Sequence, residues 1–169
     1  MNKKRFILFA FVLVVALVVS WNLTKSEALP TLNAEEFPAE LAGMPRVELS
    51  VGPDAVKNIS GLHGTDIEIV EGLVAIYSTA KEDRQMIVWV SESRNKQEAT
   101  KLLTIMDNMM PNSSAFSNYQ VKILNGRTYY YVTGIGMDNY YYQKGKRLYW
   151  VAIKDKDPET VLLNIVDRF

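Results

Sequence analysis

Cysteine is absent from this 169-residue chain. That excludes disulfide staples, thiolate metal sites and a lipid-modified cysteine after a leader, so the fold must rest on its own core. Histidine occurs once, as His63. Its place beside Gly64, where a helix is expected to stop, suits capping or surface exposure better than general-base work. No Gly-x-Ser-x-Gly elbow is present to supply a nucleophile. Gly134-Ile135-Gly136 lacks the third glycine and following helix of a dinucleotide site. Asp66, Glu68 and Glu71 stand at strand spacing without the glycine turn of a calcium loop, and Met106, Met109 and Met110 read as core material. Neither a metal nor a cofactor is expected. An excess of one charge sign is missing too, with 19 Lys and Arg balancing 19 Asp and Glu. General nucleic-acid binding is therefore not expected.

What the chain does have stands at its front. Lys3, Lys4 and Arg5 precede an unbroken apolar run from Phe6 to Val19, continued by Ser20 and Trp21. Residues 6–21 as a helix reach about 24 Å, short of the ~30 Å hydrocarbon core. As a signal-anchor, residues 1–21 keep the basic cluster inside and set Trp21 at the outer interface. As a signal peptide, the same segment ends near Ala28, after Ser26-Glu27. Both readings place the remainder outside the cytoplasm, membrane-anchored in the first and secreted or periplasmic in the second. Residues 22–45 carry Pro30, Pro38 and Pro45 among acidic side chains and read as a tether, although Phe37, Leu41 and Met44 can lay it against the domain. Residues 46–169 remain as one extracytoplasmic domain of ordinary size.

The patterning predicts an α+β fold: a mainly antiparallel sheet with about three helices packed on it, on one face. Val47, Leu49 and Val51 alternate with polar residues as a strand does, and Gly52-Pro53-Asp54 opens a helix with Val56, Ile59 and Leu62 on one stripe. Strands are expected over about 66–70 and 73–78, folded or bulged at Glu71-Gly72, and again over 85–91. Asn95 with Glu98 caps the clearest helix, whose stripe runs Ala99, Leu102, Leu103, Met106, Met110 until Pro111. Strands over 119–124 and 127–133 flank Asn125-Gly126, and strands over 139–143 and 147–153 flank Lys144-Gly145, with a looser loop over 134–138 between the two hairpins. Asp157-Pro158 caps a last helix carrying Val161, Leu162, Ile165 and Val166.

Tyrosines supply the functional expectation. With Lys144-Gly145 as a two-residue turn, Tyr142 opposes Arg147, Tyr141 opposes Leu148 and Tyr140 opposes Tyr149. Leu148, Trp150 and Ala152 then form the core face beside Tyr129, Tyr131 and Tyr141. The outer face carries Tyr130, Tyr140, Tyr142 and Tyr149 with Arg147, a surface suited to a protein or a sugar. Lys122, Arg127, Lys144, Lys146 and Arg147 gather at one sheet end, where an anionic polymer or headgroup is the matching ligand. The expected function is a membrane-tethered binding or assembly module that contacts another envelope protein through the tyrosine face. The alternatives are a sugar or anionic-polymer binder, and an envelope enzyme using carboxylates such as Asp66, Glu68 or Asp138.

Overall fold

The computed structural model describes residues 32–63, 67–79 and 83–168, with the backbone alone for Leu62 and His63. The membrane segment over 6–21, the cleavage position near Ala28, and Asp66 lie outside the described residues.

The elements run β1 (Glu40–Leu41), β2 (Met44–Val51), α1 (Pro53–His63), β3 (Glu71–Thr79), β4 (Arg84–Glu92), α2 (Lys96–Met109), β5 (Ser117–Leu124), β6 (Arg127–Gly134), β7 (Met137–Lys144), β8 (Arg147–Lys154) and α3 (Pro158–Val166). They form one antiparallel sheet of eight strands in the order β1-β2-β3-β4-β8-β7-β6-β5. This is the expected α+β architecture.

Caps set the helix starts. The Asn95 side chain accepts the Glu98 amide at 2.9 Å, and Asp157 accepts the Thr160 amide at 3.2 Å with Pro158 in the first turn of α3. Pro111 ends α2 by turning it into a 3-10 turn over Met110–Asn112.

Helices cover both faces of the sheet, not the single face expected. On one face Leu73, Ala75, Met86, Val88, Val90, Val151 and Ile153 pack with Val161, Leu162, Ile165 and Val166 of α3. On the other, Ala55 and Ile59 of α1 meet Val74, Ile87 and Trp89, while Leu102, Leu103, Met106 and Met110 meet Tyr141, Leu148 and Trp150. Strands β3, β4 and β8 are apolar on both sides for this reason, as doubly covered strands are.

Three boundaries differ from expectation. Residues 67–70 are not a strand, and Glu71 begins a single unbroken one. Gly72 is not a turn but a point of close approach: a Cβ there would lie 2.8 Å from the Val56 backbone nitrogen and 3.0 Å from the Ala55 carbonyl carbon. The presumed tether, from Leu32 onward, is part of the core. Leu32, Phe37, Leu41 and Met44 are each at most 2% exposed. The Arg46 guanidinium donates to the Phe37 carbonyl, Tyr77 Oη donates to the Pro38 carbonyl at 3.1 Å, and Arg84 Nη2 donates to the Ala42 carbonyl at 3.1 Å. Burying each large apolar side chain is worth about 1.5–3 kcal/mol, of the same order as the entropy lost in ordering its residue.

Candidate functional site

Strands β7 and β8 turn at Gly145-Lys146, so Lys144 opposes Arg147, Tyr142 opposes Tyr149 and Tyr141 opposes Trp150. This differs from the expected register by two residues. An even slip keeps each side chain on its face, so Tyr140, Tyr142, Tyr149 and Arg147 do share one face, as expected. That face is not outside. Tyr140, Tyr142 and Tyr149 are 1%, 7% and 1% exposed, under α3 and the segment from Leu32 to Met44. Tyr142 stacks on Tyr149 with ring centroids 5.0 Å apart, and Tyr129 meets Tyr142 edge-on at 5.1 Å. These contacts belong to a core, which corrects the expected solvent-facing stripe.

Tyr130 is corrected in the other direction. The expected loose loop is a tight turn at Ile135-Gly136, closed by Gly134 opposite Met137. Tyr130 consequently opposes Tyr141, and Tyr131 opposes Tyr140. Tyr130 therefore lies on the α2 face, stacked on Tyr141 at 5.1 Å, and Tyr141 is stacked in turn on Trp150 at 5.1 Å. Tyr129 and Tyr131 leave the face predicted for them and join Tyr140 and Tyr142.

Burial raises the Tyr142 hydroxyl above the ordinary phenol range, helped by the neighbouring Tyr149 and Tyr129 and opposed by Arg127. Burial, then the hydrogen bond donated to Asp138 at 2.6 Å, pushes Tyr131 up to about 12. That bond also engages Asp138, one of the carboxylates considered for catalysis. Glu68 is exposed.

The basic end assembles where expected, but its charges face internal acids. Lys122 pairs with Glu159 and lies 4.2 Å over the Tyr131 ring; Arg127 pairs with Asp167 at 3.0 Å. Lys146 and Arg147 reach the buried Glu92 at 2.7 and 2.9 Å, and Arg147 also reaches Glu36 at 2.6 Å. Burial lowers the Arg147 pKa, but the Glu36 and Glu92 hydrogen bonds outweigh it and hold the guanidinium firmly charged. Lys144 is exposed opposite Arg147. A cluster so balanced has little field left for an anionic polymer.

Exposed apolar surface lies elsewhere. Val121 and Ile123 of β5 are 55% and 74% exposed. They oppose Tyr130 and Thr128 of β6 and so stand on the α2 face. Helix α2 packs over β7 and β8 and leaves this margin bare. Tyr119, on the same strand, donates to Asp107 of α2 at 2.5 Å and marks the inner border of the bare strip.

The two sheet edges are treated differently. At the β1–β2 edge the two-residue strand β1 covers Met44 and Pro45, Pro45 has no amide to donate, and β2 shifts register against β3 between Arg46 and Glu48. These features discourage further pairing around the 61% exposed Val47, while Glu48 to Val51 pair regularly with β3. At β5 the irregularity is confined to the start, between Ser117 and Gln120, where Asn118 takes φ 56°. From Gln120 to Leu124 the ladder is regular, and among the described residues no strand pairs with its outer side. Asn125-Gly126 is a tight turn closed by Leu124 and Arg127, so in the alternation of an antiparallel ladder Leu124, Lys122 and Gln120 bond to β6. Val121 and Ile123 then turn their amides and carbonyls outward. The alternation Tyr119, Val121, Ile123 is visible in the sequence; that α2 bonds Tyr119 and leaves Val121 and Ile123 exposed is not.

An open groove of about 420 Å³ also lies between Ser114–Ser117 and the β6–β7 turn, lined by Phe116, Thr133, Gly134, Met137 and Asp138. A Cβ on Gly134 would fall 2.3 Å from the Phe116 ring, so this glycine seats Phe116 against Trp150, 5.2 Å away. Among the described residues no three His, Cys, Asp or Glu side chains converge as metal ligands, and no helix is long and apolar enough to cross a membrane. No protein-family model, no curated protein and no solved structure matches this chain.

Proposed function

We propose that this chain is a membrane-tethered extracytoplasmic assembly module that binds a protein by accepting an extended strand along β5. One observation carries the reading. The sheet is blunted at its β1–β2 edge and regular at its β5 edge, where Val121 and Ile123 combine outward backbone groups with exposed apolar side chains. Strand addition uses such an edge: main-chain hydrogen bonds supply affinity, and alternate side chains supply selectivity. The membrane part rests on Lys3, Lys4, Arg5 and the apolar run from Phe6. The tyrosine face has no part in this reading, because it is core.

A photoreactive residue placed at Val121 of the full-length protein, irradiated in native membranes, tests the proposal beside a control at the exposed Lys57 on α1. A discrete protein adduct at 121 and none at 57 is the expected result. A folded protein giving no adduct at 121 would overturn it.

A further inference from the structure

We infer that the strand accepted by β5 is the β5 of a second copy of this chain, paired antiparallel about a two-fold axis through Val121. The inference rests on the proposed edge function and names its partner. Closed two-fold dimers join the same patch on both copies, so an edge suits self-pairing only if its residues complement themselves. An antiparallel β5 pair has few centres to choose from. A centre on Lys122 sets the two Lys122 residues directly opposite each other, a destabilising like-charge pair. A centre on Ile123 runs Val121 against Asn125 in the partner's turn and shortens the ladder. A centre on Val121 avoids both faults.

With Val121 against Val121, the two residues that turn their backbone groups outward exchange hydrogen bonds, as an antiparallel ladder requires. Lys122 then lies opposite Gln120, with no like charges paired, and Ile123 lies opposite Tyr119. On the α2 face the cross-strand row Trp150, Tyr141, Tyr130, Val121 continues into Val121 and Tyr130 of the second copy. Two exposed valines become an apolar cross-strand pair, the class of contact that stabilises sheets. The irregularity between Ser117 and Gln120 leaves Gln120, Val121 and Lys122 as the regular part of the shared ladder, with Ile123 against Tyr119 at each end.

The absence of cysteine makes the test direct. Single variants Val121→Cys and Ile123→Cys are made in the full-length protein and oxidised in native membranes, with co-expressed copies carrying two different tags. Residues paired across a regular ladder stand about 4.5–5.5 Å apart at Cα, within disulfide reach. Ile123 and its copy stand four residues apart along the strands, about 13 Å, and out of reach. The expected result is a mixed-tag disulfide dimer for Val121→Cys, formed at least tenfold faster than for Ile123→Cys. Both sites are exposed, so folding is retained in each variant and is checked by its melting temperature.

Equal rates at the two positions, or no dimer at either, overturn the proposed pairing. If no disulfide dimer forms while the photoreactive residue at 121 captures a different protein, the second-copy inference falls and the edge function stands. If neither experiment gives an adduct at 121, both fall.

Discussion

Replacing Tyr142 with Phe is expected to stabilise the domain, an unusual sign for a substitution in a core. The Tyr142 hydroxyl is buried without a hydrogen-bond partner, in a residue 7% exposed. An unpaired buried hydroxyl costs about 1–3 kcal/mol. Removing the oxygen leaves a void of about 10–15 Å³, worth roughly 0.3 kcal/mol at ~24 cal/mol per Å³. The stacking on Tyr149 is a property of the ring and is kept. The net gain is about 1 kcal/mol, or roughly 3–5 °C in melting temperature for a domain of this size. Tyr131→Phe, on the same face, is the matched opposite. Its hydroxyl donates to Asp138 at 2.6 Å, and losing a bond to a carboxylate costs about 1.5–3 kcal/mol. Urea unfolding of both variants measures the contrast. An absorbance titration at 295 nm adds a second reading, because Tyr131, raised to about 12, and Tyr142, raised further by burial, stay protonated at pH 10 while the domain is folded. Both folded pKa values are raised, so their contribution to stability is complete below about pH 10 and fades as pH rises through the folded values. If Tyr142→Phe loses stability as Tyr131→Phe does, or if Tyr142 ionises at an ordinary pH in the folded protein, the buried tyrosine layer is wrong.

Gly72→Ala is expected to lose about 1–3 kcal/mol, since the new Cβ meets Val56 and Ala55 backbone at 2.8 and 3.0 Å and α1 must shift; a neutral denaturation midpoint would contradict this packing. Asp155 is expected to shape the acid limb. Burial alone would raise its pKa, but the Asp157 amide at 3.0 Å and Arg84 at 2.5 Å hold it below 3.8. A lowered folded pKa gives stability that is complete above the unfolded value near 4 and is lost as pH falls through the folded value. Asp155→Asn should therefore destabilise at pH 7 and make far less difference near pH 2; an equal difference at both would refute the assignment.

Local signals in this chain were reliable where local physics decides. Asn95 and Asp157 cap helices because a side-chain oxygen beside free amides satisfies them in any context. Asn125-Gly126 makes a tight turn because both residues accept positive φ, 49° and 74° here. Ile135-Gly136 makes the same turn with φ 57° at a β-branched residue, against its preference, so residue type alone points to a loose loop there. The tight turn sets Tyr130 opposite Tyr141 and so puts it on the α2 face.

The sequence by itself determined the helices, most of the strands, the antiparallel class, and the alternation that keeps Tyr140, Tyr142 and Tyr149 together, since caps, turns and periods of 2 and 3.6 are properties of neighbouring residues. Only the tertiary structure decided which face was inside. Alternation sorts side chains into two sets and carries no sign; the sign comes from what packs on each set. Here α3 and the stretch from Leu32 to Met44 cover the tyrosines, Glu92 and Glu36 neutralise Lys146 and Arg147, and α2 stops short of β5, leaving Val121 and Ile123 in solvent. Each of these is a contact between residues far apart in the chain, which no local period encodes.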